Sequence, residues 1–445
     1  MTLPVRQTVL GLALLAVCSA ASAMNLLQAF DAALEQDANV RAGRAALASG
    51  QERLPQARSQ LLPVVSANVG RNRNQLSTTS VNILGNESVS RDDYFSFNKS
   101  VSLRQPLFNL PRYFQYKQAE DLVQESEANY EREVQNLVVR VGGAYMEALL
   151  AAESLKLVQA QKRQYTAMVD AAGRALKAGT GTRTDIDDAQ SRLDMALANE
   201  LEARQNEDYT RRQLELMVNQ PVPVLSGLGA RGVAALGDVA KALPEWVALA
   251  HASSPEVKAL LARLDAADKE IFKAKSAHAP TLDAVAQWSD SGNENVTRIN
   301  SSFENKAIGF QLTVPLYQGG AVNSQVRQAV AEKTRVEESL ESLRRDLSLR
   351  VHKEYRGVTE GLLRIRALEQ ALRSATQLLD STVKSQRAGV RTLLDVLNVE
   401  QQLVMVNRDL IQARYVYLIS RLRLSSLAGM EARSTVAEIN QAFVP

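Results

Sequence analysis

Cysteine is almost missing from this sequence. Cys18 is the single one, so no disulfide framework can hold the chain and no thiol chemistry is offered beyond that position. Histidine is scarce too. His251, His278 and His352 stand far apart, without the spacing that gathers ligands on a metal, and they read as ordinary polar positions. There is no phosphate-binding loop and no dinucleotide fingerprint; the Gly319-Gly320 pair reads as a joint between a strand and a helix. No nucleophile stands with a base in the pattern of a hydrolase. These absences leave no enzyme, no cofactor and no metal to expect. Aromatic residues make up 5% of the chain and the net charge is +3, which speaks against an aromatic-cored globule and offers nothing to attract nucleic acid. A helix that spans a bilayer takes about 20 apolar residues, and no stretch after Ala23 provides them. Any passage through a membrane is left to β-strands.

The first residues have the pattern of an export signal. Arg6 supplies a basic start, Val9–Val17 an apolar stretch and Ala21-Ser22-Ala23 a small-residue cleavage site before Met24. Residues 1–23 are therefore expected to be removed. Cys18 has two readings, a lipid attachment site or a residue discarded with the signal. Leu15-Ala16-Val17-Cys18 is a poor lipobox because of Val17, and the better cleavage site follows it. A mature chain cut there has no cysteine.

What is present is a sequence written twice. Val40-Arg41-Ala42 matches Val257-Lys258-Ala259 and Pro63 matches Pro280, both 217 apart (257 − 40, 280 − 63). Arg140-Val141 with Arg350-Val351, Tyr145 with Tyr355, Ala178-Gly179 with Ala388-Gly389 and Asp185 with Asp395 are all 210 apart (350 − 140). A colinear series of this kind marks a duplicated unit. The two repeats are expected at 24–218 and 241–429, with a Pro- and Gly-rich joint at 219–240 and a tail at 430–445.

Each unit reads as helix, two strands, long helix, turn, helix. In the first, residues 25–61 read as helix and Pro63 ends it. Val65, Ala67 and Val69 alternate with polar residues, and so do Phe95, Phe97, Lys99, Val101 and Leu103, giving strands with one mainly apolar face and bounds at Pro63 and Pro106. The polar stretch 72–92 between them reads as a loop. The second unit repeats the pattern between Pro280 and Pro315, with Leu282, Ala284, Ala286 and Trp288 on one strand, Ile308, Phe310, Leu312 and Val314 on the other, and a polar loop from Ser289 to Asn305. The helices near 108–178 and 319–388 have about 70 residues each and reach about 105 Å. From Val396 to Leu427 a strict 3,4 spacing (Val396, Val399, Leu403, Val406, Leu410, Ala413, Tyr417, Ser420, Leu424, Leu427) predicts a left-handed coiled-coil seam. Its counterpart after Gly179 is interrupted by Glu200 and Glu207. Gly142-Gly143 inside a long helix is locally unfavourable, and close helix approach or curvature both fit it.

Four strands cannot close a barrel, and open sheet edges are not tolerated in hydrocarbon. If the strands enter a membrane, sister chains must pool them: two copies fill a small barrel, three give twelve strands and a lumen. A small soluble sheet packed on the helices fits the alternation alone equally well. The signal, the doubled hairpins and the lack of a covering layer favour the membrane.

At the end of the second unit, Gly389-Val390-Arg391-Thr392-Leu393-Leu394-Asp395-Val396-Leu397, Arg414-Tyr415-Val416-Tyr417-Leu418 and Leu427-Ala428-Gly429 closely resemble the carboxy-terminal hairpin of the TolC family of outer-membrane channels. The duplication, the proline bounds of the strands and the signal resemble that family along nearly the whole chain. The resemblance implies a mainly α protein with a transmembrane β part: a homotrimer whose twelve-stranded β-barrel sits in outer-membrane lipid and continues into a twelve-helix periplasmic α-barrel. It implies an exit duct for proteins (type I secretion) or small toxic compounds, joined by a periplasmic adaptor to an inner-membrane ABC transporter or proton-driven pump. The rival reading is a soluble periplasmic coiled-coil adaptor or scaffold, against which the doubled helix–strand–strand–helix order speaks.

Two turns, 179–184 and 389–394, are singled out. Gly179 and Gly389 suit left-handed helix ends. Thr182 with Asp185, and Thr392 with Asp395, have capping-box spacing. The resemblance adds that both turns sit at a periplasmic gate, that Asp185 links to Arg391 of the neighbouring hairpin, and that Asp395 lines the constriction as a ring of carboxylates. Asn398 stands where a second acidic ring is expected and Gln386 where a gate tyrosine is expected, which implies weaker cation selectivity and a thinner gate network.

Overall fold

The computed structural model describes residues 23–229, 232–237, 241–294 and 301–443; the expected signal lies outside them except for Ala23. The first half runs α1 (Leu26–Gln36), α2 (Ala38–Gln51), α3 (Arg53–Ser59), β1 (Val64–Val81), β2 (Glu87–Phe108), α4 (Leu110–Lys177) and α5 (Arg183–Val218). The second runs α6 (Leu243–Ser253), α7 (Pro255–Ser276), β3 (Thr281–Glu294), β4 (Ser301–Thr313), α8 (Ala321–Arg387), α9 (Leu393–Leu427) and α10 (Ala432–Asn440). α4 has 68 residues and α8 has 67, so each is a rod of about 100 Å at 1.5 Å per residue.

The helix expected over 25–61 is broken twice. Asp37 adopts an extended backbone and caps α2, its Oδ1 accepting from Asn39 N at 2.9 Å and Val40 N at 3.1 Å. The second break, at Glu52, follows from Pro55, which has no N–H for the carbonyl of Gln51 and whose ring crowds it. The loops expected at 72–92 and Ser289–Asn305 are mostly strand. β1 and β2 pair without a slip from Val64↔Arg104 to Val81↔Glu87, leaving a tight turn in which Gly85 takes φ +79. Asn, Ser and Thr there serve the ladder instead of a loop: Asn74 Nδ2 donates to Ser96 Oγ at 2.8 Å, and the Ser80 and Ser88 hydroxyls meet at 3.0 Å. In the second hairpin, strand extends to Glu294 and resumes at Ser301; 295–300 lie outside the described residues.

The four strands form one antiparallel sheet in the order β1-β2-β3-β4. From its end the helices run to two turns at the far tip. α2, α3 and α7 flank the half of α4 near the sheet, and α5 flanks the half near the turn. α8 pairs with α7 and then with α9 in the same way. Arg140 and Arg350, matched between the repeats, fasten the short helices to the long ones: Arg140 Nη2 donates to Asp37 at 3.1 Å, and Arg350 Nη2 to Glu256 at 2.6 Å.

The main core is a belt around the middle of the rod, where α1, α4, α9, α10 and the joint between the repeats converge. Tyr145 is fully buried there, its ring 5.4 Å from Phe443 in an edge-to-face contact. Its hydroxyl lies 2.8 Å from the Ser226 carbonyl and 3.0 Å from that of Met24. Arg421 threads the same belt, donating to the carbonyls of Leu236 and Gly237 and to Glu438. The Gly142-Gly143 pair resolves into two different positions. A Cβ on Gly142 would strike the Leu422 side chain of α9, whereas one on Gly143 would meet nothing within 4 Å. Close helix approach, through Gly142, is the reading the structure supports. On α8, Gly357 and Gly361 likewise admit Ser420 and Tyr417 of α9. These contacts explain why α9 is buried on a second stripe as well as on its seam: Tyr415, Leu418 and Leu422 are buried beside Leu410, Tyr417 and Leu424.

Candidate functional site

Among the described residues, two features have no layer packed on them: the apolar face of the sheet and the two helical turns at the tip. Opposite residues in an antiparallel sheet share a face. The register therefore lines up Val65, Leu103, Ala286 and Ile308, then Ala67, Val101, Trp288 and Lys306, on one side. Phe310 and Leu312 extend that face toward the helices. Ile308 is 90% exposed and Phe310 76% exposed, so no layer among the described residues covers it. Lys99 interrupts the apolar band, pairing with Asp290 directly across the ladder at 3.2 Å, and Phe97 and Phe95 follow it on the same face. The opposite face is polar, as in the Ser66–Ser102 hydroxyl contact at 2.7 Å. Arg104 is ion-paired with Asp283. Both outer strands, β1 and β4, carry an edge that nothing among the described residues pairs.

The turns are built alike. α4 ends with Gly179 at φ +75, its N–H donating to Leu176 O at 3.0 Å while Thr180 N donates to Ala175 O at 2.9 Å. α8 ends with Gly389 at φ +78, its N–H donating to the Gln386 carbonyl at 3.0 Å and Val390 N to Ser385 O at 3.0 Å. Paired bonds of this kind satisfy carbonyls that a helix end leaves open, at a conformation that costs only glycine nothing. α5 and α9 then open on reciprocal caps. Asp185 Oδ2 accepts from Thr182 N at 2.9 Å, and Asp395 Oδ2 from Thr392 N at 3.0 Å. Those bonds, led by the Thr392 backbone N–H, hold the Asp395 carboxyl below the usual carboxylate range.

Within the chain the structure brings Arg391 to Asp395, at 3.7 Å, and does not bring it to Asp185. Gln386 lies in the last turn of α8 and contributes its backbone to the cap. Asn398 is met from the other hairpin by Arg192 of α5, whose Nη2 donates to Asn398 Oδ1 at 2.8 Å. Sequence reading missed Arg192. It also missed Glu400, which is 1% exposed with neither carboxylate oxygen hydrogen-bonded. Burial pushes Glu400 up to about 7, against the nearby charge of Arg192. An acidic residue off the coiled-coil seam of α9 carried no sequence signal that it is enclosed. Of the histidines, His251 Nε2 lies 2.9 Å from the Ser348 hydroxyl. Among the described residues no group of His, Cys, Asp and Glu is arranged to hold a metal, and no helix is long and apolar enough to cross a membrane.

A family model described as outer membrane efflux protein matches residues 29–220 and 246–430. The chain belongs to that family. It is 34% identical to the alkaline protease secretion protein AprF of Pseudomonas aeruginosa over 94% of this chain and 87% of that protein. It is 30% identical to the proteases secretion protein PrtF of Dickeya chrysanthemi, over 92% and 89%, and 27% identical to the outer membrane protein TolC of Escherichia coli, over 98% and 88%. In fold it is similar to the crystal structure of the outer membrane protein VceC from Vibrio cholerae, with TM-score 0.75 at 17% identity over 91% of this chain and 96% of that one. CusC gives TM-score 0.77 at 15% identity, over 92% of each chain. The resemblance to the TolC family, read along nearly the whole chain, is matched by these comparisons. The protein is an outer-membrane export channel that reaches into the periplasm, and it is not an enzyme. Channels of this family work in tripartite systems with inner-membrane transporters and adaptors. Its fold is mostly helical with a small antiparallel sheet.

Proposed function

We propose that three copies of this chain pool their sheets into a closed twelve-stranded barrel in outer-membrane lipid, with twelve long helical columns enclosing a periplasmic duct below it. The observation that carries this reading is the four-stranded sheet with an exposed apolar face and an unpaired strand at each side. In hydrocarbon each open backbone group costs several kcal/mol, so β4 of one copy must pair with β1 of the next. The two repeats, 24–218 and 241–429, then supply equivalent columns, with the joint at 219–240 and the tail at 430–445 closing the belt.

The two turns form the periplasmic entrance. In the closed trimer Arg391 leaves its loose contact with Asp395 for Asp185 of the neighbouring hairpin. The cap of Asp185 uses Oδ2, so Oδ1 is available to that arginine. An exposed pair contributes about 0–1 kcal/mol, and only several links per trimer hold a gate. Asp395 contributes a carboxylate ring at the constriction. Asn398 and Gln386 supply neither the second ring nor the gate tyrosine of the family pattern, so cation selectivity is weak.

The cargo is protein, passed from an ABC transporter through a periplasmic adaptor. AprF and PrtF, both at 30% identity or more, carry protease secretion in their names; the family description as an efflux protein supports small toxic compounds as a second cargo. The test is the mass of the detergent-extracted protein. Three copies per particle are expected, and Ile308→Arg, which puts a charge on the apolar face, should abolish outer-membrane assembly at a cost of about 2–4 kcal/mol near the bilayer centre. A monomer that stays in water without detergent overturns the reading.

A further inference from the structure

Near the tip, the hairpin of α4 and α5 touches that of α8 and α9 through very little. Three residues are buried together, Tyr165, Ala196 and Leu397, flanked by Met168, Leu193 and Leu393. Beside Leu193, Arg192 crosses from α5 to α9. Its Nη2 holds Asn398, as described, and its Nη1 donates to Gln401 Oε1 at 2.9 Å. Asn398 and Gln401 are three apart on one helix and so lie on one face, at a separation that the planar fork of a guanidinium can bridge. Glu400 stands between them in sequence, enclosed and without a hydrogen bond. A cleft of about 240 Å³ adjoins Arg192, bordered by Gln161, Tyr165, Met195 and Asn199, so the side chain has room to let go. By the 210-residue offset of the repeat, Asn398 and Gln401 correspond to Asp188 and Ser191 (398 − 210, 401 − 210); the crossing is a property of one interface and not of both repeats.

We propose that Arg192 is a latch within each subunit, whose two-pronged hold on Asn398 and Gln401 ties α9 to α5 and keeps the entrance closed until it releases. It rests on the gate reading given above but is a separate device: the Asp185–Arg391 link joins the turns, whereas Arg192 joins the helices behind them. It also places a guanidinium on Asn398, at the level where the family pattern has carboxylates, so the latch opposes cation preference as well as opening.

The full-length channel in planar lipid bilayers tests this, with single-channel conductance and the reversal potential across a potassium chloride gradient as readouts. Loss of two bonds from a charged donor should raise the open-to-closed ratio about tenfold in Arg192→Ala, and the reversal potential should move toward cation preference. Arg192→Lys, which cannot bridge both acceptors, should restore the charge effect but only part of the closure. Asn398→Asp should close at least as firmly as the parent, since the acceptor gains a charge. Should Arg192→Ala fail to assemble because Glu400 loses its nearest cation, the double change Asn398→Ala with Gln401→Ala removes the same bonds from exposed positions and is read identically. Opening by Arg391→Ala with none by Arg192→Ala or the double change overturns the latch and leaves the gate reading standing. No opening by any of these variants overturns both.

Discussion

The belt and the tip of this channel are made of the same long helices but are held by different means. In the belt, α4 and α9 approach so closely that Gly142 has no room for a side chain, and Tyr145, Leu422 and Phe443 are fully enclosed. Its buried arginine is also fastened: Arg421 serves two carbonyls and Glu438 at once. At the tip, three buried residues and one arginine crossing join the hairpins. Cores at interior density do not deform gradually. A contact of a few apolar groups and two hydrogen bonds can be broken and remade. On the proposed reading of the two turns as the entrance, the belt is the fixed frame and the weakly held tip is the part that moves.

The largest effect that separates the two regions is expected from Tyr145→Ala. Truncating a buried aromatic in a core costs about 3–5 kcal/mol, and the carbonyl of Ser226 loses the Tyr145 hydroxyl while that of Met24 keeps only the Ser226 N–H. Thermal unfolding in detergent should show the loss, together with a loose attachment of the first residues to the joint. A tip truncation of similar size, Tyr165→Ala, should cost less and should open the channel. Equal costs would break the contrast between the regions.

Next in size is a pH effect at the tip. Glu400 sits at about 7 in the folded chain against an ordinary 4.5, so the folded state holds its proton more tightly than the unfolded one. Stability from this group is fully present below about pH 4.5 and is lost as pH rises to about 7, on the order of 2–3 kcal/mol in all. Glu400→Gln does not titrate. Once the intrinsic base-catalysed rate is divided out, the protection of amides along the first turns of α9 should be flat across that window in the variant and fall with pH in the parent. An unchanged slope would place the proton elsewhere.

The glycine pair sharpens the belt side of the comparison. Gly142→Val forces a branched side chain against Leu422 and should destabilise by about 1–3 kcal/mol. Gly143→Ala enters open space and should gain up to about 1 kcal/mol from helix propensity. A shared sign for the two changes would contradict the assignment of Gly142 alone as the contact point.

Much of this contrast could be read from the residues, and the part that could not has a physical reason. The seam Val396–Leu427 repeats with period 3.5, so α9 was visible with its α8-facing side; Tyr415, Leu418 and Leu422 form a second stripe that periodicity cannot assign until α4 is in place. Gly179 and Gly389 announce left-handed helix ends because no other residue takes φ near +75 cheaply. The polar stretch 72–92 looked like a loop because Ser and Asn favour turns in isolation, whereas here a partner strand satisfies them. Arg192 was silent for a related reason. Its acceptors are 206 and 209 residues away (398 − 192, 401 − 192), and neither amide is distinguishable from a solvated one until the hairpins meet.

The smallest effect belongs to the caps. Thr392→Ala removes the hydroxyl that accepts from Asp395 N at 3.2 Å and that donates to its carboxylate at 2.9 Å. An N-cap of this type contributes about 1 kcal/mol, far less than a belt aromatic. It should be visible as local fraying, in faster exchange of the first α9 amides, with the melting of the whole channel unchanged. Thr182→Ala should do the same for α5. Because Asp395 would keep the backbone N–H at position 392 and the nearby Arg391 but lose the hydroxyl, its carboxyl should move only part of the way back toward the ordinary range. If either cap variant lowered the melting of the whole channel, the tip could not be a separate, weakly held region, and the belt would lose its place as the sole frame.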